Sequence, residues 1–335
     1  MVDRPDKSLS LALQIAARVQ SAARLRQLLF GPFLHETETN AYRMVHGAGD
    51  GLEGFHVDAY SGFLVVAVLT KAALRSAPLL EAAIAEALRP RGIVRKLRYE
   101  EKGRGHVLDE VAWGEKPPAE VTVLENGIPF CVELMGGLHT GLFMDMREEH
   151  ARLRRLAAGR RVLNTFAYTG AFSVAAALGG ASAVTSVDVV PKVLERAKKN
   201  FLLAGIDPEA HRFARMDVLE YLRMAERRGW LFDAIVLDPP TFASFKSGSW
   251  SLKSGYGQLL ERALAVLERD GLLWIAANTE SLPAERFEKT VAAALGASGR
   301  SARTLAVSGL PPDYPTPPSS PEARYLKVHV VEVTS

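Results

Sequence analysis

Along most of the chain apolar positions recur with a period of two or of three to four, and the changes from one period to the other mark its elements. Leu13, Ala16, Val19, Ala23 and Leu28 fall at helical spacing and predict a helix over residues 8–29. From Tyr42 to about Trp113, glycine–acid turns separate β runs; 55–57 and 63–69 read as hairpin strands, and a helix follows at 78–88. Residues 121–134 are two strands around Asn126-Gly127, a strong hairpin signal. A helix begins near Asp145 and carries Arg147, Arg152, Arg154 and Arg155. Strands and helices then alternate. Short β runs at 162–163, 184–187, 211–215, 233–237 and 272–277 are separated by helices at 171–178, 191–205, 218–228 and 256–269, with a loop at 243–254. A helix at 283–295 precedes two closing strands, 303–307 and 325–333. The pattern predicts an α/β fold, a mostly parallel doubly wound sheet with a final hairpin, preceded by a small α+β domain. The expected domains are a helical segment at 1–38, the α+β domain at 39–117, and the large domain with its leading hairpin at 118–335.

Composition narrows the class. Of the 335 residues 48% are apolar, enough for two cores. The single cysteine, Cys131, excludes a disulfide framework and a cysteine-rich zinc site, and points to a reducing cytoplasm. It alternates with Phe130, Val132 and Leu134, as a strand residue does. No metal is expected, and no apolar run reaches the roughly 18 residues of a membrane span. A formal charge of +3 is mild, so any case for nucleic acid rests on where the charge sits. It is densest from Arg89 to Arg104, where Arg95, Lys96 and Arg98 are candidate contacts to RNA phosphates; a solvated strand and loop is the alternative. The acid-poor start, with Arg18, Arg24 and Arg26, fits a leading helix or an organelle-targeting segment.

The most informative stretch is RVLNTFAYTGAFSVAAALGGASAVTSVD, 161–188. It reads strand, turn, helix, strand, and ends on an acid. A tight turn brings backbone close to a nucleoside, and a carboxylate ending the second strand accepts hydrogen bonds from ribose hydroxyls. Asp188 stands 18 positions after Gly170, close to the roughly 20 that this geometry needs. Only one glycine sits at the turn, where a pyrophosphate would ask for three, and no phosphate-cradling GxxxxGK[ST] loop exists. A phosphate-free adenosyl ligand, S-adenosylmethionine (SAM), fits best; another nucleotide, or no ligand, remains open.

Two further acids follow strands. Asp217, before Val218, either caps a helix or holds the adenine amino group. Asp238 begins DPPTF, where Pro239 and Pro240 stiffen the carboxyl end of a central strand, the place where open α/β sheets put chemistry.

LNTFAYTGAF, SVD and DPPTF resemble class I SAM-dependent methyltransferases of large-subunit ribosomal RNA, in particular the bacterial cytosine-C5 enzymes and the relative that methylates guanine at N7. TNAYRMVHGAGDGLEGFHVDAY, TGLFMDMR, GYGQLLERAL and PPDYPTPPSSPEARYLK extend the resemblance over nearly all of the chain after Thr39. It implies a Rossmann-like class I methyltransferase fold. Expected SAM contacts are Asn164, Phe166, Tyr168, Thr169, Gly170, Asp188, Asp217, Val218 and Asp238, with Arg147 as partner of the methionine carboxylate or of the substrate backbone. Pro239, Pro240 and Phe242 are expected at the target base, Phe242 by stacking or else as a core residue. Many of these relatives place an RNA-binding PUA domain ahead of the leading helix; this sequence shows none, so its capture of RNA is expected to differ.

The resemblance also marks a departure. Methylating carbon 5 of cytosine uses a cysteine thiolate added to the ring, and in the cytosine enzymes that cysteine follows the strand matching 272–277. Here the position holds Asn278, as in the N7-methylating relative. Asp238 and Asn278 are therefore the candidate catalytic residues for transfer to a base nitrogen, guanine N7 first; a helix N-cap is the alternative for Asn278. Cytosine-C5 transfer by another route, a small-molecule methyltransferase, and a non-catalytic SAM- or RNA-binding protein are the competing readings. Ribosomal RNA is the expected partner, no membrane is, and a homodimer is left open.

Overall fold

The structure, a computed structural model, describes residues 7–33, 38–101, 104–137, 139–245, 248–320 and 323–334. The chain forms two compact units, Met1–Met144 with Pro311–Pro321, and Asp145–Leu310 with Glu322–Ser335.

In the first unit α1 (Lys7–Phe30) is followed by β1 (Ala41–His46), β2 (Phe55–Tyr60), β3 (Phe63–Val68), α2 (Lys71–Leu74), α3 (Ala77–Leu88), β4 (Gly92–Glu101), β5 (Arg104–Gly114), β6 (Val121–Glu125) and β7 (Ile128–Val132). The first five strands make one sheet in the order β1-β2-β3-β4-β5, in which only β3 and β4 run parallel because α2 and α3 cross between them. Ile15, Val19 and Ala22 of α1 and Leu80 and Ile84 of α3 cover Val57, Leu64, Val66 and Ile93 of the sheet. β6 and β7 form their own hairpin; Asn126 and Gly127 both take positive φ (49° and 76°), the turn that Asn-Gly favours. The hairpin and the leading helix thus belong to the first unit, and the division falls at Asp145 instead of the sequence-based 39 and 118.

The proline-rich segment 311–321 also belongs here. Asp313, fully buried, accepts from the Arg43 amide at 2.9 Å, and its carbonyl accepts from Arg26 at 2.7 Å. Arg26, equally buried, makes a bidentate pair with Asp50 (2.6 and 2.8 Å). Two motifs distant in sequence, TNAYR with GAGDG and PPDYP, thereby close one polar cluster.

The second unit contains α4 (Arg147–Leu156), β8 (Arg161–Thr165), α5 (Ala171–Leu178), β9 (Ala183–Asp188), α6 (Pro191–Leu203), β10 (Arg212–Arg215), α7 (Val218–Arg227), β11 (Phe232–Leu237), β12 (Phe242–Phe245), β13 (Gly248–Ser251), α8 (Leu252–Ala265), β14 (Leu267–Asn278), α9 (Ala284–Ala297), β15 (Ala302–Ser308) and β16 (Leu326–Val333). Seven strands make a sheet ordered β10-β9-β8-β11-β14-β16-β15. Its first five run parallel, and β16 is antiparallel to both neighbours. This is the mostly parallel sheet that the alternating pattern predicts. Residues 243–254, expected as a loop, instead hold the small β12–β13 hairpin and the start of α8.

Strand order fixes where a ligand belongs. The chain runs outward from β8 through β9 to β10 and returns to β11 on the other flank of β8. Connections leave β8 and β11 in opposite directions and open a crevice at their carboxyl ends. Residues 166–170 and 238–241 follow those two ends.

Candidate active site

The turn after β8 is built from strained backbone. Phe166, Tyr168 and Gly170 all have positive φ (52°, 50° and 79°), which costs on the order of 1–3 kcal/mol at each non-glycine position and persists only when neighbours hold it. The Ala167 amide donates to the Val187 carbonyl, the Gly170 amide to the Ala167 carbonyl, and the Asn200 side chain to the Thr169 carbonyl (2.9, 2.8 and 2.8 Å). A Cβ on Gly170 would stand 2.9 Å from that of Ala197, so helix packing as well as backbone conformation demands glycine. Asp188 completes the frame: one oxygen accepts from the Tyr168 amide and the other from the Val190 amide, both at 2.9 Å. Each oxygen retains acceptor capacity for a ribose hydroxyl.

Asp217 both caps and keeps an acceptor. Its Oδ1 accepts from the Glu220 amide at 3.0 Å at the start of α7, while its buried Oδ2 has no partner. A buried orphan acceptor asks for a donor, which an adenine amino group supplies. With the cradle at Gly170, it shows that these residues fit an adenosyl ligand. Val218 is buried in the core beneath.

Asn164 ties the strand before the turn to the helix behind it. Its amide donates to Ser173 Oγ at 2.9 Å, and Ser173 meets Ser186 Oγ at 2.8 Å, a buried polar string that ties β8, α5 and β9. Its amide nitrogen is thereby spent on the scaffold.

A second group lies at the ends of β11, β14 and β16. Asp238 follows β11 with buried Pro239 and exposed Pro240. Burial pushes its carboxyl up to about 7, the neighbouring Asp145 charge adds to the rise, and His150 opposes it. Asp145 Oδ2 accepts from the Tyr325 hydroxyl at 3.0 Å and, at 3.5 Å, faces the Asn278 amide. Asn278 ends β14, and its carbonyl accepts from Thr241 Oγ1 at 2.9 Å. Helix α9 starts at Ala284 behind Pro283, so the N-cap alternative for Asn278 falls away. Tyr256 of α8 donates to the Ala276 carbonyl at 2.7 Å, and burial with the Asp238 charge raises its phenol. Arg147, in the first turn of α4, is 2% exposed; it is an interior cation, not a surface one. Phe242 opens β12, and its side chain lies outside the described residues.

In the first unit the expected basic stripe is corrected. Arg95 pairs with Glu81 and with Glu110 (2.6 Å to each). Lys96, 2% exposed, donates to Asp109 and the Gly137 carbonyl (3.2 and 2.9 Å), and Arg98 to the same two groups (2.8 and 2.9 Å). These cations offset carboxylates that lie far off in the sequence on α3 and β5, and they join sheet to loop. Cys131 is buried in β7.

Sequence reasoning missed Asp145, His150 and Tyr325. Asp145 and Tyr325 sit in quoted motifs, but 180 positions separate them, and no local spacing pairs them. Among the described residues no cluster suited to a metal ion occurs, and no helix is long and apolar enough to cross a membrane.

Comparison with known proteins agrees with this geometry. Residues 43–315 match the S-adenosylmethionine-dependent methyltransferase family. The chain is 35% identical over 316 residues to a ribosomal RNA large subunit methyltransferase of Deinococcus radiodurans, covering 93% of this chain and 77% of that one. It is 33% identical over 332 residues to ribosomal RNA large subunit methyltransferase I of Escherichia coli, covering 96% and 81%. The crystal structure of SMU.776 complexed with SAH superposes with a TM-score of 0.87 at 30% identity, covering 96% of this chain and 82% of that one. The likeness runs along almost the whole length: the chain belongs to the S-adenosylmethionine-dependent methyltransferase family, and it is an enzyme of that kind.

Proposed function

We propose that the enzyme methylates ribosomal RNA of the large subunit on a base nitrogen, guanine N7 in the first instance, without a covalent link between protein and RNA. The names of the relatives support the substrate. The observation that carries the direct route is Asn278 at the end of β14, where the resemblance to the cytosine enzymes calls for a thiolate. An amide cannot add to a pyrimidine ring, and the thiol of Cys131 is sealed in a strand.

When bound, S-adenosylmethionine would supply an electrophilic methyl on a sulfonium, with a neutral thioether as its leaving group. The protein's work is positioning and electrostatics. Asp188 and the 166–170 turn would hold the ribose, Asp217 the adenine, and Arg147 the methionine carboxylate. Asp238 faces the developing charge, Asn278 hydrogen-bonds the base, and Pro239 and Pro240 fix the carboxylate at the strand end.

Filter binding to ribosomal RNA under a salt titration tests the substrate class. Phosphate contacts predict an affinity that falls steeply with salt, whereas a small-molecule enzyme predicts little RNA binding at any salt.

A further inference from the structure

We propose that a cavity of the second unit, at the sheet edge opposite the cofactor turn, holds one nucleotide: the base lies at Trp230 with an edge on the Tyr221 hydroxyl, and the phosphate meets Arg212 and Arg228. This goes beyond the reading above, since the cavity is not the place of transfer and does not depend on which base is methylated.

The cavity measures about 520 Å³, within the roughly 300–1,000 Å³ of sites for small ligands. The first residues of four parallel strands line it: Arg161 of β8, Ala183 of β9, Arg212 of β10 and Phe232 of β11. Asp188 closes β9 at the other end, about 16 Å away at 3.3 Å per residue, so the cavity is separate from the adenosyl cradle.

Two features of its wall ask for an occupant. Tyr221 is 2% exposed, and its hydroxyl makes no hydrogen bond among the described residues. Thr185 comes close enough to oppose the rise that burial imposes on the phenol, but not into hydrogen-bond geometry. A buried hydroxyl left so is explained by a partner brought into the cavity. Beside it, with ring centroids 6.4 Å apart, stands half-buried Trp230, and two guanidinium groups lie over its ring, Arg212 at 5.2 Å and Arg228 at 5.0 Å. Neither arginine has a carboxylate partner among the described residues. Arg161 differs, being spent on Asp233 and Glu268. Glu209 is the one carboxylate of the lining, and it is exposed. Two cations gathered at one ring without counter-charge favour an anion.

The occupant that fits is planar, anionic and rich in acceptors. His211, whose Nδ1 accepts from the Val184 amide at 3.3 Å, keeps its proton on Nε2 as a further donor in the lining. A nucleobase presents ring acceptors to such donors and a flat face to an indole or a guanidinium, while its phosphate meets arginine. A free nucleotide and an unstacked residue of an RNA strand share that chemistry. Because Arg95, Lys96 and Arg98 are paired within the first unit, phosphate contacts must be made elsewhere, which favours the strand.

Calorimetry in saturating SAH, which keeps the probe out of the adenosyl cradle, tests this with uridine monophosphate and with single-stranded hexauridylate. Binding of hexauridylate alone supports the site with a strand as its source, and binding of both supports it with any nucleotide. Trp230→Ala is expected to weaken binding at least about fivefold, the loss of one stacked base. Arg212→Gln should flatten the salt dependence of hexauridylate binding by about 0.7 in logarithmic slope, one phosphate contact. Tyr221→Phe separates site from scaffold and serves where Trp230→Ala fails to fold: binding should weaken several-fold while the protein melts no lower, because the hydroxyl supports no contact within the fold. SAH affinity should be the same in all three variants. Binding of neither probe, or equal affinity in parent, Trp230→Ala and Tyr221→Phe, would overturn the proposal. None of these measurements involves methyl transfer, so failure of the reading above would leave them untouched.

Discussion

Asp238 should make the free enzyme less stable as it makes it competent. Its carboxyl is raised from the ordinary value of 3.8 to about 7, first by burial and then by Asp145. A group raised in the folded state contributes its full stability below the unfolded value, where both states hold the proton. It loses that contribution as pH rises, completely once the folded carboxyl ionises near 7. At about 1.4 kcal/mol per pH unit the displacement sets a ceiling of roughly 4 kcal/mol, and since part of Asp238 meets solvent, about half of that is a fair expectation. Asp238→Asn removes the penalty. At about 2–4 °C per kcal/mol for a unit of this size, melting should rise by roughly 4–8 °C at pH 8 and hardly at all at pH 3, while methyl transfer is lost. Thermal denaturation of variant and parent at the two pH values, without ligand, measures this. A variant that melts no higher than the parent at pH 8, or gains equally at both pH values, would refute the reasoning.

Replacing Asp188 with Ala removes the acceptor proposed for the ribose hydroxyls and the anchor of the Tyr168 and Val190 amides, so SAM affinity should fall at least about tenfold by calorimetry. Reversing Arg95, Lys96 and Arg98 to Glu should lower the melting temperature sharply, because three paired or buried cations then face Glu81, Glu110 and Asp109; a variant as stable as the parent, with RNA affinity alone reduced, would restore the phosphate-contact reading. Asn278→Ala should lower kcat more than SAM affinity, while Cys131→Ser leaves transfer intact and no adduct forms with 5-fluorocytosine RNA.

The repeating units were legible in the sequence because each is local. The period of β8, the glycine of the turn and the acid ending β9 lie within 28 residues, and the structure builds them into one frame. Gly170 was legible for a backbone reason, although its close neighbour Ala197 was not. What the sequence hides is pairing at a distance. The run from Arg89 to Arg104 looks like an unopposed basic stripe only because Glu110 and Asp109 reach it through sheet registry and Glu81 from helix α3. Asn164 sits in the ligand motif but points its amide at Ser173, a direction set by strand alternation and helix packing. Asp145 and Tyr325 come together only when β16 is laid against β14. The compact units divide at Asp145 and not at 118, and a two-stranded hairpin carries no sign in sequence of which core it joins.

The central claim is direct methylation of a ribosomal RNA base nitrogen, and nucleoside mass spectrometry of large-subunit ribosomal RNA from a deletion strain and its parent tests it most directly. The account predicts that 7-methylguanosine falls by one residue per ribosome in the deletion strain while 5-methylcytidine is unchanged, and that the purified enzyme with SAM restores it. Loss of 5-methylcytidine alone, or identical nucleoside profiles in the two strains, would contradict it.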